Sequence, residues 1–211
     1  MNLLKNHLWL LYSLVVGIIL LTLSEVSFRR DFPAGILSVM TTVNLSNADL
    51  KGAQLRGRSL RYANLKGANL QNVELSAADL TGASLVSADL LGAKLARTEL
   101  SGANLTKAEL SAADMTEARL VSADLTMARL ERTKLSGANL EGANLSEALF
   151  RETDLRGSHL TGAINLTAHQ IRVSFVDDQT RLPDYLIRPR ITDTTTIRRI
   201  DRNALLPLRF V

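Results

Sequence analysis

The sequence predicts a solenoid, a chain wound around one apolar axis, and three observations carry that expectation. From Leu45 to Leu160 an apolar residue recurs at every fifth position; 22 of these 24 positions are Leu, and the exceptions are Met115 and Phe150. Two residues before each stands a residue that is usually small, Ala in 17 of the 24 cases. Ten of the twelve glycines lie two residues after it, from Gly52 to Gly162.

A spacing of five suits neither common element. On an α-helix it rotates successive side chains by a net of about 140°, scattering the leucines around the cylinder. On a strand the odd spacing throws alternate leucines onto opposite faces. The chain must therefore turn a corner inside every unit, so that each Leu and Ala points at one axis. Glycine two places after the leucine suits such a corner, because it accepts positive φ without steric cost. Proline is absent from 43 to 163, as expected where backbone N–H groups pair between stacked coils.

These residues resemble the pentapeptide repeat proteins, whose unit reads A-(D/N)-L-x-x. It stands here as Ala48-Asp49-Leu50-Lys51-Gly52, Ala68-Asn69-Leu70-Gln71-Asn72 and Ala143-Asn144-Leu145-Ser146-Glu147. The resemblance implies an all-β solenoid, a right-handed, four-sided β-helix with four units per coil and hence about six coils over 43–163. At a strand-pairing distance of about 4.8 Å per coil the rod would be about 29 Å long. Its core would be a column of Leu flanked by Ala, which leaves no interior room for the few-hundred-Å³ cavity that usually houses an active site.

The chain can then be taken in order. Residues 6–24 carry no formally charged side chain with His7 neutral, and Leu8 to Leu23 is apolar nearly all round. As a helix these residues would span about 28 Å, close to the hydrocarbon thickness of a bilayer. Trp9 and Tyr12 suit an interfacial belt. Residues 1–24 are therefore expected to be a single-pass membrane anchor, with a cleaved signal peptide or a buried capping helix as alternatives. Against cleavage, no A-x-A-like site follows; the exit reads Leu23-Ser24-Glu25-Val26-Ser27-Phe28. Residues 25–42 form a linker, broken at Phe32-Pro33-Ala34-Gly35, whose apolar end from Ile36 could cover the first coil.

Within the solenoid, 43–163, 14 acids balance 14 bases, out of a net charge of +4 for the whole chain. Lys51, Arg56, Arg61 and Lys66 occupy the same position of four consecutive units, one per face of a four-sided coil. This collar is either a solvated ring that favours solubility or a contact with an anionic surface, lipid headgroups ahead of nucleic acid. Arg58 adds a fifth cation in an inward slot, so it must lie near the rim or distort the coil. Tyr62, Val86, Leu91, Val121, Met127 and Leu149 are outward apolar residues on different faces or slots, which form no continuous stripe.

Past Leu160 the beat slips by one residue. Thr167-Ala168-His169-Gln170 has the T-x-x-Q form of a helix capping box. Ala168, Ile171 and Phe175 follow at helical spacing, so 164–186 is expected to close the solenoid with a short helix. The run Leu166-Thr167, Gln170-Ile171, Asp178, Thr180, Leu182-Pro183, Leu186 is similar to the terminal segment of many family members. Residues 187–211 form a basic, patternless tail, expected to be mobile.

Chemistry is hard to find. The chain has no cysteine, and its three histidines are His7, His159 and His169, without paired spacing; no metal site or cofactor is expected. No Gly-x-Ser-x-Gly elbow or triad appears, and no catalytic residue is assigned. The four Asn-x-Ser/Thr sequons, at Asn44, Asn104, Asn144 and Asn165, follow from the repeat and are not read as glycosylation sites. The expectation is a non-enzymatic, membrane-tethered module that presents its faces to a protein partner or the membrane, with the solenoid on the cytoplasmic side. A periplasmic location after signal-peptide cleavage is the alternative. The family also contains proteins that protect DNA gyrase by imitating duplex DNA. That role needs a strongly acidic surface, which a neutral repeat region does not supply, so no nucleic-acid partner is expected.

Overall fold

The computed structural model describes residues 43–187. The expected anchor at 1–24, the linker and cover at 25–42 and the tail from 188 onward lie outside the described residues. Among the described residues, no helix is long and apolar enough to cross a membrane.

The residue just before each central leucine forms a single parallel bridge with the residue twenty further on, from Asn44↔Asn64 through Asn104↔Asp124 to Asn144↔Ile164. A twenty-residue coil made of five-residue units has four sides, and each side is one bridged residue long. That is why neither helical nor strand periodicity accounts for the spacing.

One unit shows how the backbone is satisfied. Leu45 N–H donates to Asn64 O (2.7 Å), Asn47 N–H to Lys66 O (2.8 Å), and Ala48 N–H closes the corner onto Leu45 O (3.1 Å). In the next coil Asn64 N–H donates back to Val43 O (2.9 Å). The remaining donor, Ser46 N–H, is taken by the Asn44 side-chain oxygen at 3.1 Å. The same bond recurs at Asp49, Asp79, Glu99, Asp124 and Asn139 among others. This is why the unit carries a short polar side chain before its leucine: the side chain accepts the one N–H that the coil cannot pair.

Every corner is left-handed. The ten repeat glycines sit at φ between 64° and 69°, and the other fourteen units place Asn, Ala, Ser, Arg, Lys, Glu, Tyr or Met at the same slot with φ from 54° to 59°. For a residue with a Cβ this conformation costs roughly 1–2 kcal/mol. Hydrogen bonds on both sides of the corner hold it.

From Leu60 to Leu160 the central side chains are buried, and the Ala two places before each lines the same axis. Where a polar residue takes the Ala slot, its hydroxyl finds a carbonyl. Thr98, Thr133 and Thr153 donate to Leu75 O (2.9 Å), Leu110 O (2.8 Å) and Leu130 O (2.6 Å), and Ser158 donates to Leu155 O at 2.6 Å. Arg58 does not distort its coil. Its N–H still closes onto Leu55 O, and its carbonyl still accepts from Asp79 N–H.

The beat slips at Asn165, which takes φ 60°. Ile164 keeps the pairing register but stands 51% exposed, and the next leucine, Leu166, turns inward. Helix α1 (Ala168–Arg172) then starts at Thr167. The Gln170 N–H donates to the Thr167 hydroxyl, and the Gln170 side-chain oxygen accepts from Thr167 N–H, closing the capping box. The buried set differs from the helical reading of Ala168, Ile171 and Phe175. Ile171 is buried, joined by Gln170 and Val176, while Ala168 is exposed and Phe175 is 45% exposed. The reason is topological, because α1 ends before Phe175. Phe175 instead continues the coil, donating its N–H to Thr153 O and accepting from Leu155 N–H, and this puts its side chain in an outward slot.

The segment after α1 pairs with the last coil again at His159↔Arg181, before helix α2 (Asp184–Ile187). Side chains serve the carbonyls that this irregular turn leaves open. Gln170 Nε2 donates to Leu145 O (3.0 Å) and Ala148 O (2.9 Å), Thr180 to Leu155 O (3.0 Å), and the Tyr185 hydroxyl to Ala163 O (3.0 Å).

Candidate interaction surfaces

Because inward slots are filled by the column, chemistry facing solvent belongs to the three outward slots of each unit. Coil closure sorts these slots into four faces, named here by their first leucine: the Leu45, Leu50, Leu55 and Leu60 faces. Outward bases and acids over 43–163 number two and two, four and five, five and four, and two and three on these faces in turn. No face is strongly acidic or basic along its length.

Most of these charges pair between coils. Arg97 meets Glu117 (2.7 Å), Arg119 meets Glu99 (2.8 Å), Arg129 meets Glu109 (3.1 Å), and Arg132 meets Glu152 (2.9 Å), each twenty residues apart. Glu131 is shared by Arg129 and Arg151. Exposed pairs of this kind are worth at most about 1 kcal/mol each; their larger effect is to neutralise the middle of the rod. Four carboxylates in the leucine-preceding slot, Glu74, Asp79, Asp124 and Asp154, titrate low. The Ser76 hydroxyl keeps Glu74 below the usual carboxylate range, and Arg156 does the same for Asp154. Burial pushes Asp79 and Asp124 upward, but hydrogen bonds from Thr81 and Arg61, and from Thr126, outweigh it and leave both low.

The collar lies where the repeat places it. Lys51, Arg56, Arg61 and Lys66 are all exposed at four successive corners, the first three on the first coil and Lys66 at the start of the second, stacked on Ser46. They are not four equivalent cations. Arg61 donates to Asp79 at 2.9 Å and lies 5.4 Å from the centroid of the Tyr62 ring. Lys51, Arg56 and Lys66 make no ion pair with any described residue. Tyr62, half exposed, covers Gly82: a Cβ there would lie 2.5 Å from the ring. The Arg61–Asp79 pair, eighteen residues apart, is invisible until the coil closes at twenty.

The remaining candidate residues stay apart. His159 is half-buried in the last regular coil and His169 is exposed on α1, while His7 is outside the described residues. Among the described residues no group of three or more His, Asp or Glu is placed to hold a metal ion. Of the sequons, Asn44, Asn144 and Asn165 use their amides in ladders along the Leu45 face: Asn64 donates to Asn44 and Asn165 to Asn144.

Comparison with protein families matches a model described as pentapeptide repeats, in eight copies, over overlapping blocks from 38–76 to 128–164. Comparison with curated proteins gives no match. Among solved structures, the chain is similar to HetL, a pentapeptide repeat protein involved in heterocyst differentiation regulation from the cyanobacterium Nostoc sp. strain PCC 7120. Identity is 40% over 58% of each chain, with a TM-score of 0.50, so the match spans less than two thirds of HetL. Rfr23, from the cyanobacterium Cyanothece 51142, is 28% identical over 64% of this chain and 90% of its own, with a TM-score of 0.29. QnrB1, a plasmid-mediated fluoroquinolone resistance protein, is 23% identical over 69% and 80%, with a TM-score of 0.27.

Proposed function

Since this chain belongs to the pentapeptide repeat family, we propose that it is a non-enzymatic, membrane-tethered interaction module whose outer faces meet a protein partner or the membrane surface. One observation carries the reading. Inward slots hold packed Leu and Ala, so what the rod can offer another molecule is its outside. The outside is rigid, its backbone donors paired coil to coil and its charges laced across coils, which suits presentation of a preformed surface.

The tether rests on the uncharged apolar run at 6–24, with the solenoid on the cytoplasmic side. Duplex mimicry is the second reading within the family. A duplex carries one charge per roughly 1.7 Å of axis, and no face of this solenoid has an acid excess greater than one.

Two experiments test the proposal. The full chain should remain with membranes through an alkaline carbonate wash; recovery in the wash supernatant overturns the tether. In spheroplasts the solenoid should resist added protease, and digestion from outside would place it in the periplasm. Affinity capture in detergent identifies the protein partner.

A further inference from the structure

We propose that the N-terminal rim of the solenoid docks end-on against an anionic lipid bilayer, with the rod axis standing away from the surface. This deepens the membrane-associated reading above and names the chemistry of the surface that the first coil meets.

Charge along the axis is the first ground. Between 43 and 66 the chain carries five bases (Lys51, Arg56, Arg58, Arg61 and Lys66) and one acid, Asp49. The next stretch, 67–93, carries three acids (Glu74, Asp79 and Asp89) and no base. The positive field is thus confined to one end of a rod whose later coils neutralise themselves by ion pairs.

Geometry is the second. The four collar cations sit at successive corners, one per face. A surface lying along the rod would reach one or two of them. Only a surface across the end of the rod reaches all four. Lys51, Arg56 and Lys66 have no ion pair with a described residue to give up, so docking them breaks nothing within the described solenoid.

Each cation near an anionic leaflet strengthens binding about fivefold, screened within about 8 Å at physiological salt.

The chain has no cysteine, so single cysteines report cleanly. In the full chain, Gln54→Cys on the first coil and Thr161→Cys at the far end, both exposed positions, would each carry a fluorophore. The labelled protein is added to vesicles bearing a headgroup quencher, made of phosphatidylcholine with or without phosphatidylglycerol. The label at 54 should be quenched only with phosphatidylglycerol, and the label at 161 with neither. The combined variant Lys51→Ser, Arg56→Ser, Arg61→Ser, Lys66→Ser should lose that quenching at low salt. Its melting temperature should fall by no more than the loss of the exposed Arg61–Asp79 pair accounts for, because Ser already fills this slot at Ser76, Ser101, Ser111, Ser136 and Ser146.

No quenching at 54, equal quenching in both lipids, or equal quenching at 54 and 161 would each overturn end-on docking. So would a response at 54 to short duplex DNA that exceeds the response to vesicles. Flotation separates this proposal from the tether: a chain that floats with phosphatidylcholine alone yet shows no quenching at 54 keeps the anchor and loses the collar. One that floats only with phosphatidylglycerol, and is quenched, does the reverse.

Discussion

At the scale of a residue, each inward side chain is surrounded by copies of itself. Leu105, 1% exposed, stacks in the column between Leu85 and Leu125, so no neighbour of different shape can relax into a void. Leu105→Ala should cost about 2–5 kcal/mol through lost transfer energy and the cavity. Leu105→Asp should cost more, because a lone carboxylate finds no partner among Leu and Ala. Melting within a degree or two of the parent would mean that this side chain does not point inward. Four of the leucine-preceding carboxylates give the chain an acid dependence. Glu74, Asp79, Asp124 and Asp154 all titrate low when folded. Their stabilisation is therefore complete above the ordinary carboxylate values, 3.8 for Asp and 4.5 for Glu, and is lost as pH falls through the depressed folded values. Melting temperature should drop below about pH 4. Asp124→Asn keeps a side-chain oxygen for Thr126 N–H, as Asn104 does for Thr106. It should lower stability at neutral pH, because the hydrogen bonds that favour the ionised carboxylate weaken, and so narrow the fall in melting temperature between pH 7 and acid; an unchanged or wider fall would discard this account.

At the scale of an element, the last coil is the instructive one. A sheet edge left bare is a template for unwanted pairing. Here α1 (Ala168–Arg172) stands where the next unit of the Leu50 face would lie. An α-helix cannot continue the coil's hydrogen bonds, and the Gln170 side chain replaces them. Its Nε2 donates to Leu145 O and Ala148 O while its oxygen holds the start of α1. Gln170→Ala should cost about 2–4 kcal/mol by stranding buried carbonyls and half the capping box. Gln170→Glu keeps the shape but turns the donor into a second acceptor facing two carbonyls, so it should be worse at neutral pH and should recover as the solution is acidified. Denaturant melts of the pair decide the matter, and equal stability of the Ala and Glu variants would refute the donor role. Helical spacing would put Phe175 on one face with Ile171, but the chain returns to the coil after Val173, which exposes Phe175 and buries Val176.

At the scale of the whole solenoid, stability is close to a sum of identical neighbour terms, since each coil touches only those before and after it. Deleting residues 101–120 removes one full coil and joins equivalent positions, so a shorter folded rod should result. Deleting 101–103 shifts every later leucine out of register and should abolish folding. Circular dichroism of the two deletions checks this, and equal tolerance would rule out the twenty-residue coil. The same modularity explains the charge pattern. Ladders such as Arg97–Glu117 and Arg132–Glu152 neutralise the middle, while near the N-terminal rim Lys51, Arg56 and Lys66 make no ion pair with a described residue and Arg61 turns to Asp79.

What could be read from the chain was whatever repeats with it. Period five, Leu on the beat, Ala before it and a short polar acceptor between them are local demands that every unit meets alone, so one dimension suffices to see them. The capping box at Thr167–Gln170 is legible for the same reason, being closed within four residues. Coil closure is another matter. That four units complete a turn depends on twenty-four left-handed corners adding up, fourteen of them at residues with a Cβ. No single unit carries that information, and in the sequence four-sidedness is implied only by family resemblance. Everything that depends on an offset of about twenty residues follows closure. Asp79 draws Arg61 out of a collar that looked uniform, Tyr62 lies over Gly82, and Thr98 reaches back to Leu75 O. These contacts join residues that are distant along the chain and adjacent only after the coil has returned beneath itself.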